Sequence, residues 1–149
     1  MLPLALCMKQ AGFDVSGEDE TLSTIAHGFL DTDGIAVSSF ELLEEEALLV
    51  RSSAIGDSHP AMTEASHRNW KTIRRGECLA ALAQNKKLIA ISGSHGKTTT
   101  CGMLIDLFEQ SGERPSYVLG GLFSDGKAPG AWSDSEWLIA ELDERDGTI

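Results

Sequence analysis

The apolar positions of this chain follow two rhythms, and the places where one gives way to the other mark its elements. Leu88–Ile91 and Trp137–Ala140 are continuous apolar runs of strand length, the pattern of parallel strands covered on both faces. Helix patterns are read over Leu4–Gly12, Thr21–Leu30, His59–Asn69 and Glu77–Gln84, with short strands over Phe13–Val15, Ile35–Val37 and Ala47–Arg51. Strand and helix signals alternate, which predicts an α/β, three-layer fold built on parallel sheet. A polar break at Asn85–Lys87 marks the expected boundary between an N-terminal unit, residues 1–85, and a second unit, residues 86–149. No internal repeat or low-complexity tract interrupts the alternation.

One segment joins a strand, a glycine turn and a helix without a gap: Lys87 to Gln110 reads KLIAISGSHGKTTTCGMLIDLFEQ. Gly93 and Gly96 let the backbone bend tightly and turn several N–H groups inward, where the helix N-terminus adds the positive end of its dipole. Lys97 supplies a point charge and Thr98 a hydroxyl able to ligate Mg²⁺. Cys101, Leu104, Ile105 and Phe108 follow at i, i+3, i+4 and i+7, giving one apolar helix face, and Gly112 suits the stop. The general phosphate-loop pattern G-x4-G-K-[ST] would put its first glycine at position 91, which is Ile91; here the leading glycine is Gly93, so the loop is a variant. A Gly-Lys-Thr tripeptide alone also fits an ordinary strand-turn-helix, but the agreement of strand, loop and helix favours a nucleotide phosphate site. For His95 the readings are shaping of the loop, contact with a substrate phosphate, or simple loop packing.

Other candidates lie at strand ends, where ligands of open parallel sheets bind. Trp137–Ala140 delivers Glu141, and a little further Asp143 and Glu144, to the edge of the sheet. By itself an acid after an apolar strand is a solvated strand end; beside a phosphate loop it is placed to coordinate Mg²⁺. Asp19 follows the first predicted strand, and Ser52 and Ser53 follow Ala47–Arg51. Arg74 and Arg75 can fork onto a phosphate or carboxylate, or form a surface or interdomain salt bridge.

Charge and cysteine usage narrow the function. The 149 residues carry a net charge of −11, which argues against nucleic acid as a partner and requires any polyphosphate to be held by local groups. The run Glu41, Glu44, Glu45 and Glu46 reads as a solvated surface. Cys7, Cys78 and Cys101 are widely spaced within apolar patterns, so buried reduced thiols are expected and no metal site. No run approaches the ~20 apolar residues of a membrane span, and no signal leader is read, so a cytoplasmic protein without membrane insertion is expected.

The loop Gly93-Ser94-His95-Gly96-Lys97-Thr98-Thr99-Thr100 resembles the G-T-H-G-K-T-T-T loop of the Mur ligases, the ATP-dependent amide-forming enzymes of peptidoglycan precursor synthesis, with Ser94 in place of threonine. The likeness extends through Val15–Asp19, Ser52–Ile55, Ile73–Glu77, Gly120-Gly121 and Ile139–Gly147, with Arg145 where serine is usual. In order and spacing these are similar to the branch of the family that joins L-alanine to UDP-N-acetylmuramate. The resemblance implies ATP and Mg²⁺ as cofactors and UDP-N-acetylmuramate and L-alanine as partners. It assigns Gly93, Ser94, His95, Gly96, Lys97, Thr98 and Thr99 to ATP, Lys97 to catalysis, Thr98 and Glu141 to the metal, and Asp19, Ser52 and Ser53 to the UDP-substrate. Residues 1–85 would then be a Rossmann-like UDP-substrate domain and 86–149 the start of a P-loop ATPase domain. An opening glycine-rich turn and a C-terminal domain would both be missing, making this an internal fragment inactive by itself. Two alternatives are a sister ligase that attaches a recycled tripeptide to the same UDP-sugar, and a non-catalytic nucleotide-binding module.

Overall fold

The computed structural model describes residues 1–19, 21–39 and 46–142. Of the positions named above, Glu41, Glu44 and Glu45, together with Asp143, Glu144, Arg145, Asp146 and Gly147, lie outside the described residues. In chain order the elements are α1 (Leu2–Gln10), β1 (Ser16–Gly17), α2 (Thr24–Thr32), β2 (Ala36–Val37), β3 (Leu48–Arg51), α3 (Pro60–His67), β4 (Lys71–Arg74), α4 (Arg75–Ala83), β5 (Lys87–Ile91), α5 (Lys97–Gln110), β6 (Ser116–Val118), β7 (Gly130–Ala131) and β8 (Trp137–Glu141).

The largest sheet has the order β5-β8-β6-β7. β8 is parallel to both β5 and β6, and β7 closes the far side antiparallel to β6. Strand periodicity sorts its residues onto two faces. Ile139, Tyr117 and Leu119 point one way and pack with Cys101 and Ile105 of α5, helped by Leu104 and Phe108, so the predicted apolar face of that helix is the buried one. Leu138, Ala140 and Val118 point the other way, against Leu4 and Cys7 of α1 and Cys78 and Leu79 of α4. Helix, sheet and helix thus form the three layers.

The N-terminal strands form two separate parallel ladders, β1 with β2 and β3 with β4. Leu6 of α1 packs there with Leu30 and Ile35. α1 therefore lies between two cores, with Leu4 and Cys7 on one and Leu6 on the other.

The structure differs from two of the sequence expectations. Phe13–Val15 is not a strand. The Phe13 N–H bonds back to the Met8 carbonyl at 3.1 Å and the Gly12 N–H to Lys9 at 3.0 Å, closing α1 through a glycine at φ 94°. With its amide spent on the helix end, Phe13 is 52% exposed and the strand begins at Ser16. The same closure ends α5 at Gly112, as its sequence position suggested. Coverage on both faces holds for β8, where Leu138, Ile139 and Ala140 are each 0% exposed, but not for β5, where Leu88 is 44% exposed. β5 is the edge of the described sheet and pairs only with β8 there. All three cysteines are free thiols in buried positions.

Candidate phosphate and metal site

β5, β8 and β6 are parallel, so their carboxyl ends open on one side of the sheet, and the registers Ile91↔Glu141 and Val118↔Ala140 align those ends closely. The candidate phosphate loop leaves β5 there. Gly93 at φ 142° and Gly96 at φ 77° take backbone angles that side chains rarely adopt, and Gly96 is the N-cap of α5. The Lys97 ammonium donates to the Gly93 carbonyl at 2.7 Å, folded across the loop it closes. Ser94 and His95 are exposed at the tip, and Thr99 on the first turn of α5 is exposed as well.

Thr98 and Glu141, separated by 43 positions in the chain, meet at the centre of this edge. The Thr98 hydroxyl donates to Glu141 Oε2 at 2.7 Å, and the same oxygen accepts the Gly120 N–H at 2.9 Å. Two hard oxygen donors therefore converge at the head of a helix. Mg²⁺ is commonly held by one or two carboxylates plus substrate phosphates, keeping several waters. The donor set fits that mode. Among the described residues no group of three His, Cys, Asp or Glu could enclose a metal by itself. Beneath the site, burial first and the Glu141 charge second push the Cys101 thiol up to about 11. Burial pushes Cys7 up to about 12. Neither is a nucleophile near neutral pH.

On its other side Glu141 opens into a cavity of about 280 Å³, lined by Met1, Pro3, Ser52, Ser53, Arg75, Leu119, Gly120 and Glu141. Ser52 and Ser53 are thus brought to the same cleft as the candidate metal ligand. Asp19 is not among the lining residues; its carboxylate accepts the Thr21 N–H at 2.9 Å and shapes its own exposed turn. Ser52 likewise accepts from Ala54 N–H at 3.2 Å. Arg74 and Arg75 part company: Arg75 lines the cleft, while the Arg74 backbone N–H donates to Glu77 at 2.6 Å, a helix-start contact for α4. His59 caps α3 by accepting the Ala61 N–H at 3.2 Å. His27 and His67 are exposed. The Gly120 contact with Glu141 was not foreseen from the sequence. Its signal is a glycine pair one residue beyond a strand end.

Comparison with known proteins converges on one family. The family model described as "Mur ligase family, catalytic domain" matches residues 1–87. The UDP-N-acetylmuramate--L-alanine ligase of Desulforapulum autotrophicum is 33% identical over 151 aligned positions, covering 100% of this chain and 33% of the relative. The chain therefore spans about a third of the length of the curated relatives it matches. Among solved structures, the UDP-N-acetylmuramate:L-alanyl-gamma-D-glutamyl-meso-diaminopimelate ligase from Neisseria meningitides superposes with a TM-score of 0.86 at 23% identity, over 97% of this chain and 49% of that one. The UDP-N-acetylmuramate-alanine ligase of Thermotoga maritima gives 0.80 at 23% identity, over 95% and 34%. These two likenesses concern the fold. With a family match across more than half of its residues, the chain belongs to the Mur ligase family.

Proposed function

We propose that these residues are the substrate-binding and phosphate-binding portion of an ATP-dependent ligase that joins L-alanine to UDP-N-acetylmuramate, a cytoplasmic step of peptidoglycan precursor synthesis. The observation that carries this reading is the convergence of Thr98, Glu141 and the Gly120 amide beside the candidate phosphate loop, at a cleft also lined by Ser52 and Ser53. Residues 1–85 would serve the UDP-substrate and 86–149 the nucleotide.

In this reading ATP transfers its terminal phosphoryl group to the substrate carboxylate, releasing ADP. The amine of alanine then attacks the acyl phosphate, forming the amide and expelling phosphate. Phosphoryl transfer is mainly positioning and charge neutralisation. The Gly93–Gly96 backbone amides and the α5 N-terminus hold the polyphosphate. Lys97 exchanges its Gly93 contact for phosphate oxygens, and Thr98 with Glu141 would hold Mg²⁺, which would supply neutralisation of charge on the phosphates. Ser52 and Ser53 donate to the UDP-substrate from the wall of the cleft, and Asp19 orients its sugar or base.

The sister reading, tripeptide addition, shares every one of these groups. The curated relatives above 30% identity named for L-alanine favour the alanine branch. The test is ADP release by a full-length ligase containing these residues, with UDP-N-acetylmuramate and either L-alanine or the tripeptide. Turnover that depends on L-alanine is expected. Dependence on the tripeptide alone would transfer the protein to the sister branch, and nucleotide binding without either turnover would make it a non-catalytic module.

A further inference from the structure

Gly120 and Gly121 follow β6 at the carboxyl edge of the sheet, and each lies against one of the two candidate cation ligands. A Cβ at Gly120 would sit 2.6 Å from Glu141 Oε2, 2.7 Å from its carboxyl carbon and 2.8 Å from Oε1. A Cβ at Gly121 would meet Thr98 Cγ2 at 3.0 Å. Neither glycine has a positive φ, so the backbone does not demand glycine at either place. The demand comes from the neighbouring side chains. At Gly120 the three nearest atoms all belong to the end of the Glu141 side chain, while the Gly120 N–H donates to Glu141 Oε2.

We propose that Gly120 is the positioning residue of the Glu141 carboxylate, and that Gly121 does the same for Thr98. This rests on the reading of Glu141 and Thr98 as ligands of a divalent cation. The missing Cβ admits the carboxylate to the sheet edge, and the amide selects the oxygen that turns toward Thr98. The two contacts on that oxygen differ in kind. An amide N–H can only donate, so it holds Oε2 whether or not a cation is present. A hydroxyl can donate to Oε2 and still offer a lone pair to the metal. Thr98 is also β-branched and stiff at χ1, so an intrusion at Gly121 cannot be relieved by a simple swing of its side chain. Gly120 thereby makes Glu141 a pre-aimed ligand.

The test uses Gly120→Ala in the full-length protein. Because the overlap is with a flexible side chain, the variant should fold with an unchanged melting temperature while its carboxylate is displaced. Mn²⁺ binding in the presence of ADP, read by electron paramagnetic resonance, should weaken about 10- to 100-fold, the usual cost of losing a group that orients a ligand. ADP binding without metal should be unaltered. Glu141→Asp retracts the carboxylate by one methylene, so adding Gly120→Ala to it should cost much less than adding it to wild type. Wild-type Mn²⁺ affinity in Gly120→Ala, additive losses in the double variant, or a melting defect that Glu141→Asp leaves unrelieved would each overturn the proposal. The Gly120 amide resonance gives a separate readout. It should move upfield in metal-free Glu141→Gln, and no movement would refute the positioning contact. Unchanged Mn²⁺ affinity in Glu141→Gln would instead refute the cation-ligand reading.

Discussion

The C-terminal sheet and the N-terminal ladders are built from the same alternation of strand and helix, yet they bury their strands to different depths. All residues of β6 and the centre of β8 are buried. Both residues of β1 are exposed, and no residue of β2, β3 or β4 is fully buried. The candidate ligands inherit this difference. Glu141 ends a strand whose preceding residues are packed on two sides, so its position is set by the core. Asp19 and Ser52 sit on turns held by their own local hydrogen bonds. A site carried on packed elements is formed before its ligand arrives, whereas one on local turns gains order from the ligand.

The sharpest way to break this comparison is at the phosphate loop. Lys97→Ala in the full-length ligase should lower acyl-phosphate formation on the order of 10²- to 10³-fold, as removal of a transition-state donor does, and leave UDP-N-acetylmuramate binding intact. Isotope exchange and calorimetry separate the two, and near wild-type turnover would sink the assignment. Packing comes next. Ile139→Ala should destabilise by about 2–5 kcal/mol and Val37→Ala by about 1 kcal/mol or less, read from denaturant midpoints. Equal losses would erase the distinction between sheet and ladders. Glu141→Gln removes one negative charge beside Thr98 and should raise the Mg²⁺ concentration at half-maximal activity by about tenfold or more; an identical midpoint would refute the metal role. Ser52→Ala should weaken UDP-N-acetylmuramate by about 1 kcal/mol, the worth of one hydrogen bond, with ATP affinity unchanged in the same titration.

The smallest effect near neutrality is on pH dependence. Cys7 and Cys101 are raised from 9.0 to about 12 and about 11 by burial, so the folded state keeps protons that the unfolded state has begun to lose. Their contribution to stability is complete below pH 9 and is lost as pH climbs toward the folded values. Denaturation between pH 7 and 11 should show a flat region and then a decline, and Cys101→Ser should make the decline shallower.

Sequence patterns made the strand, loop and helix of the candidate phosphate site legible and the rest less so, for physical reasons. The strand, loop and helix around Lys97 are contiguous, and a short apolar run followed by Gly, Gly and Lys carries its geometry in consecutive residues. The strand-end position of Glu141 was legible because a continuous apolar run stops at it. The meeting of Thr98 with Glu141 depends on a non-local pairing, Ile91 with Glu141, which no local pattern encodes. β4 went unread because Lys71–Arg74 has only Ile73 as a large apolar residue, and β6 because Ser116–Val118 is brief and its buried serine is masked as polar. The false strand at Phe13–Val15 shows the same limit: a β-like composition there is overruled by helix-closing hydrogen bonds to Met8 and Lys9. The Gly120 contact escaped because its partner, Glu141, lies 21 positions away.

The double packing of α1 bears on the order in which this protein can be made. The Cys7 thiol donates to the Tyr117 carbonyl at 3.1 Å, across 110 positions of sequence, and Leu4 shares a core with Val118 and Leu138. During synthesis the first helix leaves the ribosome long before the strands that cover it exist, at roughly 5–20 residues per second. Its Leu6 side can settle early against Leu30 and Ile35. The face bearing Leu4 and Cys7 must wait for β6 and β8, leaving an apolar helix surface open to chaperones or to a second nascent chain for several seconds of translation.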